Sequence, residues 1–386
     1  MTATSEMQVL RPDSVEAVRD VMRDATAGGD LLQISGAGTW SDAGAPTDST
    51  VHLSLGRLSG IIAYVPGDLT ITALAGTSMA ELAQATAAHG QWLGLDPAGD
   101  RTGTIGATIA TASSGPLSHA FGTPRDQILG LDAVTGYGDI VKPGGRVVKN
   151  VAGFDLVRLY TGSWGTLGPI VSVTLRLRAL PVHDVTLAID ASRGEALPAL
   201  LAALRQPTLS LMACEWLNAP AARALGMTSG GDVVLVRLGG NDSFVRGQRA
   251  RLDAITTCTP CDPSVWGALA ELDRQSTAVI RVSGAVQTLP ERIARSHSTV
   301  PDVTGSHVAM HARISRGIVR IVASGNADVH RTALQATHDG EQRIAERLPA
   351  RWWVAERDPF AGGLAGRIRA AFDPDTRCNR RAFIDA

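Results

Sequence analysis

Apolar residues recur at helical spacing over 13–27 (DSVEAVRDVMRDATA), with Val15, Val18 and Met22 on one face and Gly28-Gly29 as a stop. That pattern predicts an amphipathic helix. Leu31 to Ile34 then predicts a short buried strand ending at Ser35-Gly36-Ala37-Gly38-Thr39. A second strand is expected over Val51 to Leu55. A hairpin follows, with arms Ile61 to Val65 and Thr70 to Leu74 joined through Pro66-Gly67-Asp68. Ser78-Met79-Ala80-Glu81 has the spacing of a capping box, in which Ser and Glu satisfy each other's backbone N–H groups, and opens a helix running to about Gly90. Apolar runs at Ile128 to Val134 and Val171 to Leu177 sit in a stretch otherwise crowded with Gly, Ser and Thr.

After Leu180-Pro181 the pattern changes. Strand-like runs (Val233 to Val236, Ile318 to Val322) alternate with helix-like ones (Glu195 to Leu204, Arg331 to Arg347), which suits an α+β unit. A last helix, Leu364 to Phe372, is stopped by Asp373-Pro374. The expected division is 1–181, a smaller α+β unit over 182–345, and a returning segment over 346–386. The length, 386 residues, exceeds the roughly 250–300 at which single cores stop growing, so more than one packed unit is expected.

Composition narrows the function classes. A formal net charge of -1 argues against a nucleic-acid stripe or a polybasic membrane patch. No apolar run approaches the roughly 20 residues of a membrane span, and the N-terminus has no basic region followed by an apolar one, so a cytoplasmic protein is expected. Four cysteines make no disulfide framework, and Cys258-Thr259-Pro260-Cys261 alone completes neither a zinc site nor a four-cysteine cluster, so no metal is expected. Nearly all basic residues are arginine; Lys142 and Lys149 are the two lysines, seven positions apart.

The 41 glycines concentrate in ordered loops. Gly36-Ala37-Gly38 follows a strand but has Ser41 where a dinucleotide fingerprint needs its third glycine, and no helical period follows, which disfavours a Rossmann fold. Further loops are Gly103-Thr104-Ile105-Gly106, Thr111 with Ser113-Ser114-Gly115, and Gly165-Thr166-Leu167-Gly168 leading to Ile170. Glycine lets backbone N–H groups approach a ligand, and successive amides form an anion-binding concavity. Several such loops in series suit one elongated ligand.

Three stretches carry a family resemblance: GTIGATIATASSGPLSHAFGTPRDQILGLDAVTGYGDIV (103–141), GGRVVKNVAGFDLVRLYTGSWGTLGPIVSVTLRLRALP (144–181) and IRAAFDPDTRCNRRAF (368–383). They resemble FAD-binding domains of the vanillyl-alcohol oxidase / p-cresol methylhydroxylase type, and among them the FAD-binding subunits of glycolate oxidase. The resemblance is strong over roughly residues 5–181 and at the tail, and thin over 182–345. It implies an α+β fold with a two-part FAD domain and a cap-like domain. It places the pyrophosphate at Gly36, Ala37, Gly38 and Thr39, and the flavin and its phosphates along Gly103 to Gly106, Thr111, Ser113, Ser114 and Gly115. Gly165, Thr166, Leu167, Gly168 and Ile170 would pass along the cofactor. No His, Cys or Tyr occupies 35–41, which implies non-covalent FAD.

For a 2-hydroxy acid the chemistry needs a cation for the carboxylate and a base for the hydroxyl. Arg281, Arg313 and Arg316 are candidates for the first; His307 and His311 are candidates for the second, and their spacing puts them on one side of either a helix or a strand. Lys149, in the most family-like run, is a candidate at the flavin or substrate. Trp352-Trp353 suits core packing or an aromatic wall beside a flavin. The resemblance implies a small 2-hydroxy-acid substrate, a second flavoprotein subunit and an iron–sulfur or quinone acceptor. The alternatives are a non-catalytic FAD-binding subunit and a stand-alone flavin dehydrogenase of another small alcohol or acid.

Overall fold

The computed structural model describes residues 7–45, 48–144, 155–192, 196–228, 230–299, 307–324, 341–355 and 363–380. The chain packs as two units. Unit 1 comprises Met1–Ser114, Thr123–Leu180 and Ala350–Ala386; unit 2 comprises Gly115–Gly122 and Pro181–Pro349. The excursion Gly115–Gly122 thus leaves the segment the sequence places wholly in the first unit.

In unit 1, β1 (Gln8–Leu10), α1 (Val15–Gly28), β2 (Leu32–Ser35) and β3 (Val51–Ser54) form a parallel sheet of order β1-β3-β2 with its helix. Ser14 caps α1 by accepting from the Ala17 N–H at 3.2 Å, and Val18, Met22 and Ala25 bury against Leu32, Leu53 and Leu58. The hairpin β4 (Ile61–Val65) and β5 (Thr70–Leu74) is followed by α2 (Met79–Ala87), whose capping box is complete. The Ser78 N–H donates to Glu81 Oε2 at 2.8 Å and the Glu81 N–H to Ser78 Oγ at 3.1 Å. Next come β6 (Gln91–Trp92), α3 (Ile105–Ala110), β7 (Ile128–Val134), β8 (Ile140–Val141), β9 (Ile170–Arg176) and β10 (Arg178–Ala179). The antiparallel sheet β4-β5-β9-β7-β8 packs Ile71, Leu131 and Val173 against Met79 and Leu82 of α2 and Ile105 and Ile109 of α3.

The tail closes this unit. The C-terminal helix Gly363–Phe372 sets Phe372 edge-on to Tyr160 with ring centres 5.7 Å apart. The chain then runs beside β2: the Leu32 N–H donates to the Arg377 carbonyl, and the Asn379 N–H to the Leu32 carbonyl, both at 2.9 Å.

Unit 2 is built on β11 (His183–Asp190), β12 (Ala213–Leu217), β13 (Val233–Gly240), β14 (Thr259–Pro260), β15 (Ala278–Ser283), β16 (His307–Arg313), β17 (Ile318–Ser324) and β18 (Gln342–Arg347). They form one antiparallel sheet of order β14-β11-β13-β12-β16-β17-β15-β18. β18 corrects the helix expected over 331–347. Residues 342–347 pair with β15 and bury Ile344 and Glu346 at strand spacing, while 331–340 lie outside the described residues. Cys214, Cys258, Cys261 and Cys378 are all free thiols.

Polar groups, not hydrocarbon, occupy part of this sheet's interior. His311 on β16 meets Glu215 Oε1 at 2.5 Å through Nδ1 and Asp273 Oδ1 at 2.8 Å through Nε2. Arg320 of β17 pairs with Asp273 at 3.1 Å and with Glu346, and Arg281 of β15 pairs with Glu346 at 3.1 Å. Removing one partner from such a buried cluster strands the others and costs about 3–5 kcal/mol. Burial opposes the imidazolium, yet Asp273 and Glu215 outweigh it and hold His311 above its ordinary value of 6.5. Burial likewise opposes the Asp273 carboxylate, but Arg320 and His311 bring it from 3.8 down to about 2.

The raised His311 value stabilises the fold fully below 6.5, and this contribution is lost as pH rises through the folded value. The lowered Asp273 value stabilises it above 3.8, and this is lost as pH falls towards about 2. Urea unfolding of unit 2 should therefore show greatest stability between pH 3.8 and 6.5. His311→Gln should lower that plateau by about 3–5 kcal/mol and remove the alkaline decline; a decline that persists in the variant assigns it to another group.

Candidate functional site

The site in unit 1 grows from the end of β2. After Ser35 the chain turns, and Gly36, Ala37, Gly38, Thr39, Trp40 and Ser41 form one wall of a crevice with about 980 Å³ of empty space, its open mouth included. The β2–β3 pairing holds the start of this loop: Ser35 Oγ lies 2.8 Å from His52 Nε2, and Ser54 Oγ donates to the Gly36 carbonyl at 3.2 Å. Burial, aided by Arg11, lowers the His52 pKa below 6.5, favouring a neutral ring beside the Ser35 hydroxyl. Gly36 is required by close approach, because a Cβ there would lie 2.1 Å from Thr104 Oγ1. Gly38 is required by conformation: its φ is +81°, and nothing of the protein lies within 4 Å of where its Cβ would stand.

Among the described residues, the N–H groups of Ala37, Gly38 and Thr39 have no protein acceptor. The first turn of α3 is different. Thr104 caps it, but the Ile105 and Gly106 N–H groups already donate to the Thr77 and Ala75 carbonyls at 2.9 and 2.8 Å. The anion-binding capacity therefore sits on the β2 loop, with Thr104 and Thr111 adding hydroxyls to the crevice wall.

The opposite wall is Trp164, Gly165, Pro169 and Ile170, with Asn379 from the tail. Asn379 Oδ1 accepts from the Ile34 N–H at 2.7 Å, while its Nδ2 donates to the Trp164 carbonyl at 2.7 Å and the Ile34 carbonyl at 3.2 Å. One side chain thus ties the strand that carries the loop to the segment facing it. Leu55, Ala75, Ala107 and Ala110 add apolar surface, and among the described residues no charged side chain lines the crevice.

Of the residues singled out in the sequence, Gly36, Ala37, Gly38, Thr39, Thr104, Gly106, Thr111, Gly165 and Ile170 line this crevice. The others take different places. Ile105 and Leu167 belong to the apolar core, and Gly103 packs against the Thr39 hydroxyl. Ser113 Oγ accepts from the Ala98 N–H, Ser114 is buried, and Gly115 belongs to unit 2. The Thr166 hydroxyl donates to the Ser163 carbonyl, and Gly168 sits against the Val134 carbonyl. Asn379, Trp164 and Trp40 were not singled out; Asn379 lies in the tail stretch that carries the resemblance, which was the available signal.

In unit 2, His311 is removed from the role of accessible base: it is 1% exposed and both ring nitrogens bond carboxylates. Arg281 is committed to Glu346, and Arg313 is buried on the same side of β16 as His311. His307 opens β16, but its side chain lies outside the described set, as does Lys149 as a whole. Asp155 caps the helix Leu156–Tyr160 and pairs with Arg158 at 2.6 Å, and Asp126 closes a capping box with Thr123. Trp353 is buried.

Comparison with known proteins places this geometry. Residues 7–144 match the FAD binding domain family. Glycolate oxidase subunit GlcD of Bacillus subtilis is 33% identical over 177 residues, 42% of this chain and 38% of that protein. Glycolate oxidase subunit GlcE of Escherichia coli is 34% identical over 186 residues, 47% of this chain and 51% of that protein. The mitochondrial D-lactate dehydrogenase [cytochrome] of Arabidopsis thaliana is 33% identical over 163 residues, 42% of this chain and 28% of that protein. The matched segment thus spans about half or less of each relative. Among solved structures, an alkyldihydroxyacetonephosphate synthase covers 97% of this chain and 75% of its own at 16% identity and TM-score 0.71. The 4-ethylphenol oxidase of Gulosibacter chungangensis covers 97% and 89% at 15% identity and TM-score 0.71. These share the fold, that of the vanillyl-alcohol oxidase type.

The crevice fits FAD on its own chemistry. Amides of 37–39 that have no acceptor among the described residues, with nearby hydroxyls, suit a diphosphate, and apolar walls with two tryptophans suit ring systems. Gly38→Ala should cost the fold only about 1–2 kcal/mol, the strain of a Cβ at positive φ, while weakening FAD at least tenfold in a fluorescence titration. Asn379→Ala should weaken FAD comparably, with a larger loss of stability, because each stranded polar group costs about 1–3 kcal/mol. FAD affinity unchanged in both would move the cofactor elsewhere.

Proposed function

With an FAD-binding domain over residues 7–144 as the premise, we propose that this chain is an FAD-dependent oxidoreductase subunit of the glycolate-oxidase type, oxidising a small 2-hydroxy acid to the 2-keto acid. The carrying observation is that relatives 33–34% identical over 163–198 residues are, by name, glycolate oxidase subunits and D-lactate and D-2-hydroxyglutarate dehydrogenases. All of those substrates share one functional group, a carboxylate beside a carbinol carbon. A second flavoprotein subunit and an iron–sulfur or quinone acceptor fit the likeness to both GlcD and GlcE.

Bound FAD supplies the hydride acceptor for such a reaction. The chain's own residues bind and orient it. The amides of Ala37, Gly38 and Thr39 and the hydroxyls of Thr39, Thr104 and Thr111 hold the phosphates, Trp40 and Trp164 shield ring surfaces from water, and Asn379 keeps the two walls in register. Amides and hydroxyls do not titrate in the working pH range, so the phosphate binding they provide is nearly independent of side-chain ionisation. Among the described residues no helix is long and apolar enough to cross a membrane.

Anaerobic addition of glycolate or D-lactate to the FAD-loaded chain should bleach its visible absorbance, with one equivalent of keto acid formed per flavin. Bound FAD that neither acid bleaches would favour the non-catalytic subunit, and bleaching by other small alcohols alone would favour the stand-alone dehydrogenase.

A further inference from the structure

The excursion Gly115–Gly122 gives unit 2 a feature the flavin crevice does not use. Ser118–Phe121 forms a single helical turn, fixed by Ser118 Oγ donating to the Gly115 carbonyl at 2.7 Å and the His119 N–H donating to the Pro116 carbonyl at 3.0 Å. Arg316, in the turn between β16 and β17, reaches this segment: its Nε and Nη2 donate to the Ser118 carbonyl at 3.0 and 2.8 Å. The next residue is His119.

Both side chains have capacity left over. Two of the five guanidinium N–H groups of Arg316 are engaged, and among the described residues Nη1 has no acceptor. Among the described residues no carboxylate pairs with Arg316, in contrast to Arg281, Arg320, Arg292 and Arg295, each of which faces Glu346 or Glu341. The His119 ring has no protein hydrogen bond among the described residues; Nδ1 is buried and unpartnered. Burial, with the Arg316 charge beside it, lowers the His119 pKa to about 4, so the ring is neutral at physiological pH and one nitrogen is a lone-pair acceptor.

A cation with open donors next to a neutral acceptor is complementary to a group carrying a negative oxygen pair and, one carbon away, a hydroxyl. We infer that Arg316 and His119 form the subsite for a small 2-hydroxy carboxylate, Arg316 pairing with the carboxylate and His119 accepting the hydroxyl hydrogen bond. This rests on the oxidoreductase reading for its ligand class and on the geometry of unit 2 for its residues. An arginine fork suits a carboxylate because two parallel N–H groups match two oxygens. Like Arg316, Arg205 is held by a backbone carbonyl, but Arg316 also has the neutral His119 ring next to its anchoring carbonyl.

The test is calorimetric binding to the FAD-loaded chain, with glycolate against acetate and D-lactate against propionate. Wild-type protein should prefer each hydroxy acid over its deoxy partner by roughly threefold to tenfold, the range of one net hydrogen bond. Arg316→Ala should weaken all four acids at least tenfold, with Arg316→Lys restoring part of the loss. His119→Phe should abolish the preference while leaving acetate and propionate binding unchanged. Retained flavin and a cooperative unfolding curve verify that each variant is folded. Wild-type protein that binds none of the acids, or Arg316→Ala that binds them all as before, overturns the subsite. Arg316-dependent binding of glycolate without flavin bleaching supports the subsite and counts against the oxidoreductase reading alone.

Discussion

Among the described residues, three backbone N–H groups at the end of β2, those of Ala37, Gly38 and Thr39, have no protein acceptor, and they face a crevice that no charged side chain lines. Unpaired donors of this kind are costly unless water or a ligand meets them, so they are maintained only where the surrounding structure fixes the backbone. The fixing elements are distant in sequence. β3 holds the loop's first residues through His52 and Ser54, α3 bars any side chain at position 36, and the tail bonds the strand below it through Asn379. Unit 1 is thereby a frame for a short stretch of main chain, and the apolar core around α1, α2 and α3 is what keeps that frame rigid.

Unit 2 handles charge in the opposite way. Carboxylates, guanidinium groups and an imidazolium are taken into the interior of a sheet and matched against one another through Glu215, Asp273, Glu346, His311 and Arg320. Matched charges contribute little attraction to a small anion. An arginine without a matching carboxylate keeps its field, and at the β16–β17 turn that field falls on a neutral imidazole. Cofactor recognition by neutral main chain and substrate recognition by an uncompensated side-chain cation would let the two ligands bind by different physics.

Much of the local architecture was legible in the sequence. The face Val15-Val18-Met22, the Pro66-Gly67-Asp68 hairpin and the Ser78–Glu81 capping box depend on residues within a few positions of each other, and each forms where the spacing places it. β18 was not legible, because 331–347 carries a helix-like pattern in which Glu346 and Arg347 have no nearby partners in sequence. They are buried only because Arg320, Arg281 and the end of the helix Val265–Gln275 supply their partners. The same holds for the sites. Gly36 to Thr39 announce themselves through what glycine permits, whereas Asn379 acts across 345 and 215 residues of chain. His311 looked like an available base because neither Glu215 nor Asp273 is near it in sequence.

The central claim is that this crevice holds FAD through the diphosphate-binding amides of the β2 loop. The most direct measurement is an equilibrium titration of the flavin-free chain with FAD, FMN and riboflavin, followed by flavin fluorescence. The account expects one FAD per chain, bound at least a hundredfold more tightly than FMN or riboflavin, neither of which carries the diphosphate. Equal affinity for all three, or a folded chain that takes up no FAD, would contradict it.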